Sequence, residues 1–336
     1  MNEHTGRWVG IDVSKAKLDV ALLDERGKLR SHVFANDAKG WESLLVWLAT
    51  RGCVTQHTQL CMEATGPYGE APAMALSDAG WRVSVVNPAR VKGFAQGELM
   101  RNKTDRADAA LLARFGQAMR PEVWTAPSLP VRQLRGLVDR LNSLKDMHRQ
   151  EANRLESAMN QPGMRASIES HMTWLQGSIK ELQREIDDHV DGHPELREDA
   201  LLVTSIPGLG NTTAAKVLAY LGDVRRFKNA KALSAFIGVN PRQRQSGTSL
   251  KGRSTISRSG HAYVRHSLYM PAMVALKYNP VVKAFGLRLQ AAGLAPKAVI
   301  GACMHKLVQL IYGVLKSGVP FDPSITRPRL DFQDGI

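Results

Sequence analysis

The sequence predicts a mixed α/β domain followed by an all-α region. Three observations lead there. Strand and helix signals alternate through the first 125 residues, whereas the later apolar patterns have helical period. Prolines at 121, 127 and 130 punctuate the change. The charge is also divided: residues 1–125 carry 16 Lys+Arg against 14 Asp+Glu, residues 126–200 carry 10 against 13, and residues 201–336 carry 19 against 4.

The first elements form a meander. Trp8-Val9-Gly10-Ile11-Asp12-Val13 is a short buried-strand pattern, and Lys17 to Asp24 alternates. Glu25-Arg26-Gly27 then turns into Leu29 to Phe34, which gives three antiparallel strands with hairpin turns. Trp41 to Leu48 has helical spacing, and Thr58 to Glu63 is a fourth strand. A helix from about Gly69 to Ala79 is closed by Gly80. Trp81 to Val86 is a fifth strand, stopped by Asn87-Pro88, and helical sequence runs through Asp105 to Met119. Three strands and then αβαβα is the order of an RNase H-like domain, a mixed sheet with helices on its faces.

Residues 131–160 place Leu134, Leu137, Val138, Leu141, Leu144, Met147 and Leu155 on one helical face, and Gln161-Pro162-Gly163 breaks the pattern. A second helix covers roughly 165–190, with Ile168, Met172, Leu175, Ile179, Leu182 and Ile186. The pair reads as an antiparallel hairpin or a coiled-coil seam, with mixed charge that suits a spacer and a dimer contact. Next, Ile206-Pro207-Gly208-Leu209-Gly210 lies between Leu201-Leu202-Val203 and a helix from Thr212 to Leu221. This is a helix-hairpin-helix pattern, in which Gly208 and Gly210 would present backbone N–H groups to a phosphate. Further helices are expected at 230–237, 261–277 and 296–315. Asn240 to Gly260, rich in Gly, Ser, Arg and Lys, reads as a loop placed for contact or chemistry. The expected boundaries are 1–125, 126–198 and 199–325, with a tail at 326–336.

Composition narrows the function. The chain is 43% hydrophobic and 23% charged, enough to bury sizeable cores. No apolar run approaches the ~18–20 residues of a membrane span. The N-terminus lacks the apolar stretch of a signal peptide, so the expectation is a cytoplasmic protein with no membrane partner. Cys53, Cys61 and Cys303 form no CxxC pair, which argues against a disulfide framework or a cysteine zinc site. Between Val224 and Phe321 there is no Asp or Glu, and the whole chain carries +14. A folded segment that repels itself this strongly points to a polyanion, because neutralising phosphates releases counterions. Arg242, Arg244, Lys251, Arg253, Arg258 and Arg265 are the candidate nucleic-acid contacts.

Four carboxylates form a candidate metal site. Asp12 falls in the first strand among Val9, Ile11 and Val13, where an uncompensated carboxylate is costly. Glu63 ends the fourth strand, which neighbours the first in an RNase H-like sheet. Asp105 and Asp108, three apart on a helix, share one face. Taken singly, Asp12 could be a strand-end acceptor and Thr104-Asp105 a helix cap. Taken together, four clustered carboxylates call for a cation, and oxygen-only ligands select a hard one, Mg²⁺ or Mn²⁺. Two such ions would stabilise the attacking and leaving oxygens of a phosphoryl transfer. Ser246 precedes Gly247 in the basic loop. By itself it is an ordinary loop serine, with no His–Asp pair adjacent to activate it.

These motifs together resemble a known family. Gly10-Ile11-Asp12-Val13-Ser14-Lys15, Glu63-Ala64-Thr65-Gly66 and Asn102-Lys103-Thr104-Asp105-Arg106-Ala107-Asp108-Ala109 are similar to the DEDD transposases of the insertion-sequence 110 family. So are Ile206 to Gly210, Phe236-Ile237-Gly238-Val239, Gln245-Ser246-Gly247 and Ser257-Arg258-Ser259-Gly260-His261, in the family's order, with the 1111 subgroup as the nearest branch. The resemblance implies a RuvC-like first domain with its metal site at Asp12, Glu63, Asp105 and Asp108. It implies a C-terminal transposase domain with Ser246 as nucleophile. It further implies a structured guide RNA that pairs with donor and target double-stranded DNA. The implied assembly is a dimer or tetramer with active sites composed across subunits, at work on the nucleoid. Where the family has Gly-Asn after Lys-Arg-Gly, this chain has Ser259-Gly260-His261, which leaves the role of His261 open. The competing readings are a metal-dependent junction resolvase or nuclease that uses water, and a non-catalytic nucleic-acid-binding protein. A sugar-kinase or actin-like fold would need further glycine-rich phosphate loops, and none is found.

Overall fold

The computed structural model describes residues 6–64, 66–98, 104–158, 161–242, 245–246, 250–251, 255–257 and 260–325, with the backbone alone at positions 67, 242, 245, 246, 250, 251 and 255. The chain forms two compact units, Met1–Ala126 and Pro127–Ile336.

In the first unit, β1 (Arg7–Val13), β2 (Lys17–Leu23) and β3 (Leu29–Ala35) form the expected antiparallel meander. Helix α1 (Ala38–Ala49) leads to β4 (Thr58–Glu63), and α2 (Glu70–Asp78) leads to β5 (Arg82–Val86). The sheet order is β3-β2-β1-β4-β5, with β4 parallel to both β1 and β5. The helical sequence after β5 is α3 (Pro88–Gly97) and α4 (Asp105–Met119).

Strand alternation assigns the two faces. Val9, Ile11, Leu18, Val20, Leu22, Leu60 and Met62 pack with Leu44, Trp47 and Leu48 of α1 and Leu76 of α2. On the other face, Trp8 and Leu23 meet Ala113 of α4, and Cys61 and Val86 meet Leu111, Leu112 and Phe115. The same alternation puts Asp12, Lys17, Asp19 and Glu63 on the α4 face.

Helix α4 lies unusually close to β1. A Cβ on Gly10 would stand 2.0 Å from the Ala109 carbonyl oxygen and 2.4 Å from the Ala113 nitrogen. One turn further along, a Cβ on Gly116 would stand 2.5 Å from Trp8 Cε3. Glycine at these two positions lets backbone meet strand directly, with small Ala109 and Ala113 between them. Gly10→Val is therefore expected to lower stability by about 2–3 kcal/mol through overpacking, read from the midpoint of chemical denaturation, while a conservative Val9→Ile shifts it far less.

The second unit is helical. Helices α5 (Leu129–Ser157) and α6 (Pro162–Asp191) run antiparallel, as the pairs His189–Pro130, Gln176–His148 and His171–Glu151 require. Leu134, Val138, Leu141, Leu175, Leu182 and Ile186 share one core with the helices that follow. These are α7 (Pro194–Thr204), α8 (Asn211–Leu221), α9 (Ala230–Ile237), α10 (Ala262–Ser267), α11 (Tyr269–Tyr278), α12 (Pro280–Ala291) and α13 (Pro296–Ser317).

Four expectations change. The single helix expected over 261–277 is two, α10 and α11, because Pro271 has no N–H for the Ser267 carbonyl and the ladder breaks around Leu268. Helix α12 was not expected, although Asn279-Pro280 is a start signal: the buried Asn279 side chain accepts from Val281 and Val282 N–H, and Pro280 opens the helix. Helix α13 is long and apolar enough by composition to cross a membrane, contrary to the reading of apolar runs. Val299, Cys303, Leu307, Val308 and Ile311 fill the centre of the unit, and this packing accounts for its apolar character. Finally, the expected loop at 240–260 contains paired strands: β6 (Pro241–Arg242) with β9 (Thr255–Ile256), and β7 (Gln245–Ser246) with β8 (Leu250–Lys251).

Candidate active site

The carboxylates named from sequence fall on the α4 face of the sheet and in the first turn of α4. Asp12 is half-buried near the end of β1. Its carboxyl is pushed up to about 6, first by burial and then by the negative charges of Asp108, Asp105, Asp19 and Glu63. Asp105, Asp108 and Glu63 therefore each lie within electrostatic reach of Asp12. The helix that carries two of them is well started: Asp105 and Asp108 occupy the first turn of α4, and Thr104 caps it by accepting from Ala107 N–H at 3.2 Å.

Two further residues belong to the cluster. Asp19 sits directly opposite Asp12 in the β1–β2 register and is buried. Like charges facing each other across a ladder repel, so the pair needs compensation. Lys17 supplies part of it: its Nζ stands 3.0 Å from Asp19 Oδ2 and 2.8 Å from Asp105 Oδ2. The ammonium holds the Asp105 carboxyl below the usual carboxylate range.

The second unit carries the remaining candidates. Ser246 lies in β7 opposite Leu250 of β8, beside the connection at 247–249. Arg242 lies in β6 and Lys251 in β8, whereas Arg244, Arg253 and Arg258 fall outside the described residues. The base of this paired segment is fixed to α9. His261 N–H donates to the Phe236 carbonyl at 3.0 Å, Ser257 N–H donates to Asn240 O at 2.9 Å, and Gly260 approaches so closely that a Cβ would stand 2.3 Å from Phe236 O. Arg265 donates to the Ile237 carbonyl at 3.1 Å. Gly208 has φ +105 and a packing reason to be glycine, since its Cβ would meet Ala275 of α11 at 2.9 Å. Gly210 is exposed and caps α8.

Comparison with known proteins fixes the family. A family model of DEDD transposases of the IS110 type, described as "Transposase", matches residues 9–163, and a second, "Transposase IS116/IS110/IS902 family", matches residues 200–286. The "Pilin gene-inverting protein" of Moraxella bovis is 31% identical over 319 residues, 95% of this chain and 98% of that protein. The chain belongs to the IS110 family of transposases. The "Transposase for insertion sequence element IS1111A" of Coxiella burnetii is 25% identical over 300 residues, 80% of this chain and 78% of that protein.

IS110-family transposases are DNA recombinases of insertion sequences, and DEDD transposases are generally divalent-metal dependent. The donor set here suits a hard divalent cation: it is oxygen-only, and its excess negative charge is strong enough to raise Asp12. Among the described residues, no three His, Cys, Asp or Glu side chains converge closely enough to hold one ion. Asp105 is instead paired with Lys17. The sequence reading passed over Lys17 and Asp19, although hairpin symmetry about the Ser14–Lys17 turn places Asp19 opposite Asp12.

His261, whose role the sequence left open, is a packing residue in the second unit. Its ring lies 4.9 Å from that of Tyr220, burial holds its pKa below the usual value, and Nδ1 is buried with no hydrogen-bond partner.

The raised Asp12 pKa makes stability pH-dependent. Because the folded-state value of about 6 lies above the ordinary 3.8, ionisation of Asp12 opposes folding. The penalty is absent below the ordinary value, grows as pH rises toward the folded value, and is complete above it. In chelator, Asp12→Asn is expected to be about 1–2 kcal/mol more stable than wild type at neutral pH, after allowance for solvent screening. The gain should vanish near pH 4 when both proteins are followed by thermal denaturation. A gain that does not change with pH would mean that the Asp12 carboxyl is not perturbed.

Proposed function

We propose that this IS110-family transposase cuts and rejoins donor and target DNA through a covalent serine–phosphodiester intermediate. The observation that carries this reading is the cluster of Asp12, Glu63, Asp105 and Asp108 around one perturbed carboxyl. It is joined to a C-terminal region that has no acid between Val224 and Phe321. The first unit is then a RuvC-like domain, consistent with its β3-β2-β1-β4-β5 sheet order. Asp12, Glu63, Asp105 and Asp108 would hold Mg²⁺ or Mn²⁺, which when bound supplies charge stabilisation at phosphoryl oxygens.

Ser246 is the nucleophile in this reading. Its Oγ forms a bond to phosphorus, the bond from phosphorus to the 3′ oxygen breaks, and the serine proton ends on that leaving oxygen as a free 3′ hydroxyl. Reversal by a different 3′ hydroxyl joins the new strand, so no bond energy is lost to water. Arginines and lysines of the 241–258 segment and Arg265 grip phosphates, and Gly208 and Gly210 line the turn before α8. The Moraxella relative's name supports rejoining over simple hydrolysis, because inverting a gene requires every cut end to be resealed.

Guidance by a structured RNA that pairs with donor and target, assembly as a dimer or tetramer with composite sites, and action on the nucleoid in the cytoplasm complete the proposal. These rest on family kinship and on the charge of the C-terminal region.

Ser246→Ala is expected to abolish covalent protein–DNA adducts, read as a denaturation-resistant mobility shift on labelled donor DNA, while nucleic-acid affinity stays within about twofold. Adducts that persist would remove the serine, and cleavage without adducts in the wild type would favour a water-using nuclease. Asp12→Ala is expected to eliminate divalent-dependent recombination; unchanged recombination would reject the carboxylate site.

A further inference from the structure

We propose that Lys17 is a resident counter-cation of the carboxylate cluster, one that a divalent ion must displace from Asp105 before the site assembles. The inference rests on the metal-site reading above and goes beyond it by assigning a residue that sets how tightly the site binds.

The position of Lys17 is fixed by its backbone. The turn between β1 and β2 is closed at both ends: Ser14 N–H donates to Lys17 O at 3.0 Å, Ser14 Oγ donates to the same carbonyl at 2.9 Å, and Lys17 N–H donates to Ser14 Oγ at 3.2 Å. Asn36 ties the turn further by donating from Nδ2 to Ser14 O at 2.9 Å. Lys17 and Asp19 are two apart on β2 and so share the α4 face. From there the side chain spans from β2 to the first turn of α4, with Nζ between Asp19 at 3.0 Å and Asp105 at 2.8 Å.

An exposed lysine–carboxylate pair is usually worth little. This one differs in its surroundings. Asp12 and Asp19 face each other across the ladder, and Asp108 and Glu63 add charge to the same face. Without a cation the first turn of α4 would be repelled by the sheet edge. One ammonium joins the two sides and lets α4 dock on Gly10 before any metal arrives. The same contact engages the carboxylate that a metal would use. It also places a positive charge beside an incoming divalent ion, which weakens binding by Coulomb repulsion. The trade is a stable metal-free fold against a higher metal concentration for assembly.

The test is Mn²⁺ binding to the full-length protein by isothermal titration calorimetry. Lys17→Gln removes the charge and keeps a hydrogen-bond donor; its Mn²⁺ dissociation constant is expected to fall on the order of tenfold, and its melting temperature to drop in chelator and recover with Mn²⁺. Lys17→Arg keeps the charge and is expected to bind Mn²⁺ as wild type does. A second measurement needs no variant: in wild type, saturating Mn²⁺ is expected to increase acetylation of Lys17 by a succinimidyl ester, read by mass spectrometry, as the ammonium leaves its carboxylates. Unchanged or weaker Mn²⁺ binding in Lys17→Gln, or Lys17 labelling indifferent to Mn²⁺, overturns the proposal while leaving the metal site intact. Absence of Mn²⁺ binding in wild type and variant alike overturns both.

Discussion

The arrangement of the N-terminal unit depends on backbone-to-backbone packing of α4 against β1. Gly10 has no side chain, and Ala109 and Ala113 have almost none, so the helix settles where a Cβ would already collide with its carbonyls. This contact does more than fill space. A helix seated that low projects its first turn over the end of the strand it covers, and that turn holds Asp105 and Asp108. Asp12, two residues after Gly10, points to the same face by strand alternation. The approach that hides Gly10 is therefore also what brings acid on a helix to acid on a sheet, and it explains why the perturbed carboxyl is Asp12.

Packing at Gly10 and repulsion at Asp12 oppose each other across a few residues of the same strand. The apolar contacts of Leu111, Leu112 and Phe115 favour a docked α4, while like charges favour a lifted one. Dispersion and burial act over the whole helix, whereas the repulsion is confined to its first turn at the N-terminal end, so docking prevails. Lys17 sits at that end. The first turn of α4 is thus held to the sheet by packing along the helix and by this one ammonium between Asp19 and Asp105.

Much of this was legible in the sequence because local patterns and chemistry agreed. The five strands follow from alternation and turn residues, and Asp12 stood out through the cost of an acid in a strand. Asp19 and Lys17 were hidden by a different cause: read along β2 they look like the solvent face of an ordinary amphipathic strand, and only the cross-strand register turns them toward Asp12. The break at Leu268 and the start of α12 were written in Pro271 and Asn279-Pro280 but masked by continuous apolar spacing on either side. The paired strands around Ser246 left no hydrophobic alternation, because two-residue ladders carry too few side chains to form a pattern.

The uneven charge of the chain comes from where its acid lies. A basic side chain within reach of the carboxylates does what Lys17 does with Asp19 and Asp105: it pairs with them and, on the proposal above, would compete with a divalent ion. A polyanion-binding protein needs many such side chains, and spread over the sheet edge they would neutralise the cluster. In this chain the first 125 residues are close to balanced, with 16 basic against 14 acidic, while the last part of the sequence is basic with almost no acid. Basic residues are about as frequent in residues 1–125, with 16, as in residues 201–336, with 19; what the C-terminal part lacks is acid, 4 against 14. Within the first part, Lys17 is a basic side chain that the described structure pairs directly with the cluster.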